Sequence, residues 1–186
     1  MKALAEAAGD LRAQIYVLSY AGLRFGECAA LRVGDVDLAR RRLRVSRSVT
    51  AVAKMGLVEG PTKTHQNRTV PLPQFVADAL KRQLDGKDDG ELVFPGPDGG
   101  WMPLDWFRWR FDKACATAKL TDITPHTLRH TAGSLALASG ASVVTVQKLL
   151  GHRNATTTMN VYSHMLPDDF DKLAAAMDAA AKGGTS

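Results

Sequence analysis

His126, Arg129, His130, His152 and Tyr162 gather imidazoles, a permanent cation and a phenol into one short stretch of chain. They occur as His126-Thr127-Leu128-Arg129-His130, Leu149-Leu150-Gly151-His152 and Asn160-Val161-Tyr162. This combination suits attack on a phosphodiester by a tyrosine without a metal ion. Arginine is always charged and can donate two hydrogen bonds to a phosphate. A second arginine far upstream, in Gly22-Leu23-Arg24-Phe25-Gly26-Glu27, would let Arg24 and Arg129 hold both non-bridging oxygens of one phosphate. Charge that grows in a pentavalent transition state would then be stabilised from two sides. Tyr162 is the candidate nucleophile, and nearby cations must help a phenol of ordinary pKa about 10 to ionise. Lys63 is the candidate general acid for a departing 5′-oxygen, with His126 and His152 completing the hydrogen bonding.

The elements that must position these groups follow from periodicity. Apolar spacing predicts a helix over 11–21, stopped by Gly22, with a second helix opening at Gly26-Glu27, so that Arg24 lies in a tight connection. Alternation over 43–49 predicts a half-buried strand, and 52–58 and 68–72 read as further strands, with 61–67 as the polar turn carrying Lys63. Helices are expected over 75–84, 104–118, 125–139 (Thr124 as N-cap and Pro125 at the first position), from Ser142 to Gly151, 154–162 and 168–181. The residues before position 11 read as a short alanine-rich lead-in. The fold class is therefore mainly α with a small antiparallel β-sheet. His126 and Arg129 share a helix face close to its N-terminus, a favourable place for an anion.

Composition narrows the class. The chain has 186 residues, 45% of them hydrophobic, about one domain with a core. A net charge of +5 leans modestly toward a polyanionic partner. Two lone cysteines, Cys28 and Cys115, argue for reduced thiols in the cytoplasm and against structural zinc. No apolar run approaches a membrane span.

Taken in order, the Arg24 segment, Lys63-Thr64 before Arg68-Thr69-Val70-Pro71-Leu72, the His126/Arg129 pair, Leu149-Leu150-Gly151-His152 and Tyr162 resemble the catalytic domain of a tyrosine recombinase of the phage-integrase kind. The resemblance runs over residues 11–170. It implies a site-specific DNA recombinase in which Tyr162 forms a 3′-phosphotyrosyl link and frees a 5′-hydroxyl. Arg24 and Arg129 would clamp the phosphate, Lys63 would protonate the leaving oxygen, His126 would assist proton transfer, and His152 would bond the phosphate. Glu27 would brace the site, and neither cofactor nor metal is needed. The partner would be double-stranded DNA with a specific core site, bound by a homotetramer of the full-length protein. A single catalytic domain is expected over 1–186, its core at 11–166 and a tail helix at 167–186, without the core-binding and arm-binding domains that usually precede it. Such a piece alone would be a monomer.

Other readings stand beside this one. Arg40, Arg42 and Arg44 fit DNA phosphates, or equally a solvated strand edge that discourages edge pairing. Trp106, Arg108, Trp109 and Arg110 resemble an aromatic–basic interleave for DNA, but Trp106 and Trp109 read rather as partly buried helix residues, and His130 as structural. In the tail, Phe170, Leu173, Ala174 and Met177 form an apolar stripe that either covers its own core or docks on a neighbouring protomer. A type IB topoisomerase-like strand transferase uses similar chemistry. The helices flanking Gly140 also read loosely as a helix-turn-helix module.

Overall fold

In the computed structural model, the described residues are 1–63, 67–163, 174 and 177–179. Eight helices are named among them. They are α1 (Lys2–Ala7), α2 (Arg12–Tyr16), α3 (Phe25–Ala29), α4 (Gln74–Leu84), α5 (Leu104–Thr117), α6 (Pro125–Ala138), α7 (Val143–Leu150) and α8 (Ala155–Tyr162). The tail helix expected over 168–181, including Phe170 and Leu173, lies largely outside the described residues, as do positions 64–66 of the polar turn.

The lead-in is not a passive leader. It forms α1, whose Leu4 and Ala5 are fully buried and which packs on α5. The helix expected over 11–21 begins as α2 but widens into a π-turn over Val17–Ala21 before Gly22 ends it in the left-handed region. Such turns carry i→i+5 hydrogen bonds, and this one presses against α6, which bears His126 and Arg129.

The β region departs from expectation in two ways. First, the run over 43–49 is not one strand. It breaks at Ser46 into β2 (Arg42–Val45) and β3 (Arg47–Val52), which belong to different sheets. The apolar face is still as read, with Leu43, Val45 and Val49 all buried. Second, 52–58 is not one strand: 53–55 form a hairpin turn, with Lys54 at φ 65°, and the residues on either side belong to two strands. The hairpin joins β3 to β4 (Gly56–Pro61) in a two-stranded antiparallel sheet, with Thr50 opposite Val58. The other sheet runs β1 (Val36–Asp37), β2, β5 (Arg68–Pro71), also antiparallel, with Leu43 opposite Val70. Lys63 therefore sits on a crossover between two sheets, because β4 and β5 pair with different partners.

The main core joins α1, α2, the π-turn, β2, β5, α4 and α5. Phe107 and Phe111 are fully buried and stack at 5.6 Å, and Phe25, next to Arg24, tilts against Phe107 at 5.0 Å. Each such pair adds about 1 kcal/mol beyond simple burial, and the Phe25–Phe107 contact ties the start of α3 to α5. A second small cluster of Ala132, Val146, Leu150 and Tyr162 holds α6, α7 and α8 together. Side-chain oxygens of Thr124 and Ser142 cap α6 and α7, as their sequence context predicts, and Asn154 caps α8 in the same way.

Candidate active site

One carboxylate organises the cations. Glu27 stands at the third position of α3, where its Oε2 accepts the Arg24 backbone N–H at 2.8 Å and so satisfies a free helix donor. Its Oε1 accepts from Arg24 Nη1 at 3.1 Å. Arg68, at the start of β5, grips the same carboxylate with two donors at 2.9 and 2.7 Å, and its Nε donates to the Leu149 carbonyl at 3.0 Å. Burial works against ionising Glu27, but Arg68 and then Arg24 hold its pKa below the usual carboxylate range.

Arg129 is the third guanidinium. It is buried, and it donates to the Gly22 and Leu150 carbonyls. It thereby ties the end of the π-turn to the end of α7 and has its plane fixed. Burial, and next the Arg24 charge, push its pKa down to about 9, so it remains a cation at neutral pH. Arg24 Nη2 reaches the Gly151 carbonyl at 3.4 Å. Three guanidiniums thus surround a single carboxylate, and the imbalance favours an added anion.

Gly151 makes this convergence possible. It has φ 61°, and a β-carbon there would meet Arg68 Nη1 at 3.0 Å. The next residue, His152, places Nδ1 2.9 Å from the buried Thr158 hydroxyl. Burial first, then Arg129 and Arg24, push its pKa down to about 4, so the ring is neutral at pH 7.

Arg24, Lys63, His126 and Arg129 line one cleft of about 420 Å³, together with Leu104 and Arg108 of α5. These four of the six expected catalytic groups come from three places in the fold, namely the turn before α3, the crossover between sheets and the first turns of α6, and His152 is not among the residues lining the cleft. Tyr162 is not among the residues lining the cleft. Its ring is buried in the second cluster, and its hydroxyl donates to the His130 carbonyl at 3.3 Å with His130 Nδ1 at 3.4 Å. The His130 ring in turn meets His126 edge to face at 4.6 Å. The close seat of Tyr162 requires Gly133, where a β-carbon would fall 2.2 Å from the phenol oxygen. Burial raises the phenol pKa, although Arg129 opposes the rise.

Arg40, Arg42 and Arg44 do not join this cleft. They line a second one, beside β1 and β2, where Arg40 pairs with Asp37 at 3.5 Å and Arg44 with Asp35 at 3.1 Å. Arg68, Arg108 and Gly133 escaped the sequence reading as parts of a site, and His130 was read there as structural. A buried glutamate beside one arginine was the available signal that a second cation had to come from elsewhere.

Known proteins share this arrangement of sequence and fold. The model of the phage integrase family matches residues 1–168. A tyrosine recombinase of Thermosipho africanus is 34% identical over 151 residues, 81% of this chain and 48% of that protein. The tyrosine recombinase XerC of Xanthomonas axonopodis is 34% identical over 172 residues, 91% of this chain and 50% of that protein. The chain therefore spans about half the length of these curated relatives. Among solved structures, the Tn1549 transposon integrase in complex with transposon right end DNA superposes with a TM-score of 0.80 at 23% identity, covering 96% of this chain and 63% of that one. XerA recombinase gives 0.71 at 25% identity, over 100% of this chain and 63% of that one. These likenesses bear out the mainly helical fold class with its small antiparallel sheets. Among the described residues no helix is long and apolar enough to cross a membrane.

Proposed function

The chain belongs to the phage integrase family, and from that premise we propose that it is the catalytic part of a site-specific DNA recombinase that cleaves and rejoins strands through Tyr162. The observation that carries this reading is the convergence of Arg24, Lys63, His126 and Arg129 on one cleft, with Tyr162 one imidazole away.

The scissile phosphate sits against Arg24 and Arg129, whose planes are already fixed by Glu27 and by two helix-end carbonyls. That preorganisation means little rearrangement is needed as charge builds on the phosphorus oxygens. The Tyr162 oxygen bonds to phosphorus, and the bond from phosphorus to the 5′-oxygen breaks. His126, in the cleft, takes up the phenolic proton, and Lys63 supplies a proton to the 5′-oxygen. His152, neutral and oriented by Thr158, donates to a phosphate oxygen. Rejoining runs the same steps backward with a 5′-hydroxyl as nucleophile, so bond energy is conserved and no nucleotide cofactor is used. In the free protein the phenol is held by His130 and Gly133, and DNA binding must release it toward the cleft. The full-length protein acts on a specific core site in duplex DNA as a homotetramer in the cytoplasm.

Lys63 gives the sharpest chemical test. On a nicked trapping substrate, Lys63→Ala should slow adduct formation strongly, and a sulfur in place of the 5′-oxygen should restore it, because a thiolate leaves without protonation. The same sulfur should not rescue Arg24→Ala. Equal rescue of both variants, or of neither, would overturn the assignment of Lys63 as the acid.

A further inference from the structure

Leu104 and Arg108 stand one helical turn apart on the same face of α5, and both line the cleft. Neither serves the fold. Leu104 is 43% exposed, and the exposed Arg108 makes no hydrogen bond or ion pair among the described residues. The nearby Arg110 differs, being paired with Asp10 and stacked over Trp106 at 4.9 Å. The other guanidiniums of the cleft are also committed, Arg24 to Glu27 and Arg129 to two carbonyls.

We propose that Leu104 and Arg108 form a subsite for the nucleotide flanking the phosphate held by Arg24 and Arg129. Arg108 pairs with that nucleotide's own phosphate, and Leu104 lies against its sugar. A DNA strand alternates charged phosphate with apolar sugar, and a leucine and an arginine one turn apart present the same alternation. A second backbone contact fixes the strand's register without reading sequence. It also holds the scissile bond in line for attack, where small misplacements are costly. Arg108 is thus a positioning residue for the reaction, and the inference rests on the proposed function.

The test uses a nicked trapping duplex in which one phosphate beside the scissile one is replaced by a neutral methylphosphonate, each neighbour in turn. On unmodified DNA, Arg108→Gln should form adduct about tenfold more slowly, as for loss of one charge-assisted contact. Its binding should lose about 0.9 from the log–log salt slope. One of the two methylphosphonates should slow the wild-type chain to a similar degree and leave Arg108→Gln unaffected, and Arg108→Lys should recover most of the rate. Leu104→Ala should slow adduct formation with no change in salt slope. Methylphosphonate penalties equal in wild type and Arg108→Gln, or an Arg108→Gln loss that varies with base pair rather than with phosphate charge, would overturn the subsite alone. A wild-type chain that forms no adduct on any trapping DNA would overturn the proposed function, and the subsite with it.

Discussion

Glu27 shows how much one side chain can hold. Its carboxylate is shared by Arg24 and Arg68, and the Arg68 side chain is only 8% exposed. Glu27→Gln leaves that buried guanidinium without its counterion and should cost about 3 kcal/mol in urea-induced unfolding, as does breaking a buried pair from one side. His152 makes the pH dependence testable at the same scale. Its folded pKa of about 4 lies below the ordinary 6.5, so the unfolded chain binds the extra proton first. The stability tied to neutral His152 is complete above about pH 6.5 and is lost as pH falls toward 4. His152→Asn should therefore show a shallower fall in melting temperature across that window. His126 and Arg129, which the fold brings to one cleft, are legible in sequence because they lie three apart beside a helix start. The grip of Arg68 on Glu27 is not, since it spans 41 positions and two kinds of element.

At the scale of elements, one face of α6 serves two neighbours in succession. Its first turns supply His126 and Arg129 to the cleft, while Gly133, one turn further on, accepts the Tyr162 ring of α8. Gly133→Ala puts a methyl where the phenol now lies and should drive Tyr162 out of its seat. Because burial is what raises its pKa, Tyr162 should then ionise closer to the ordinary value of 10. Ultraviolet difference titration against Tyr162→Phe reads this directly, and an unchanged titration would contradict the storage of the phenol by α6. The ends of α6 and α7 are readable from Thr124-Pro125, Gly140, Ser142 and Gly151, and α4, α5 and α8 fall close to their expected ranges without such signals. The division of the β region is not readable in this way. Alternation over 43–49 identifies the buried face but carries no information on which partner each half pairs with, and the turn at Lys54 lacks the usual Asn-Gly or Asp-Gly signature.

For the whole molecule, arginines gather at two clefts, and in the second Arg40, Arg42 and Arg44 are met by Asp35, Asp37 and Asp89. Arg42 has no ion-pair partner among the described residues, whereas Arg40 and Arg44 already face Asp37 and Asp35. If the second cleft follows the DNA backbone, Arg42→Gln should lower the salt slope of duplex binding by about 0.9, and Arg40→Gln and Arg44→Gln by less. Equal effects at all three positions would argue for a diffuse field instead of contacts. This distinction could not be read from the Arg40-Arg41-Arg42 run, because the paired aspartates are brought to it only by the fold.

The chemistry of the site turns on which atom joins the DNA. The chain, given a nicked duplex carrying its core site, should form a covalent complex in buffer containing EDTA. After proteolysis, mass spectrometry should find the 3′-phosphate of the cleaved strand on the peptide that contains Tyr162. Tyr162→Phe should form no complex at all. A complex that persists in Tyr162→Phe, or DNA recovered on any other residue, would contradict the assignment of this site.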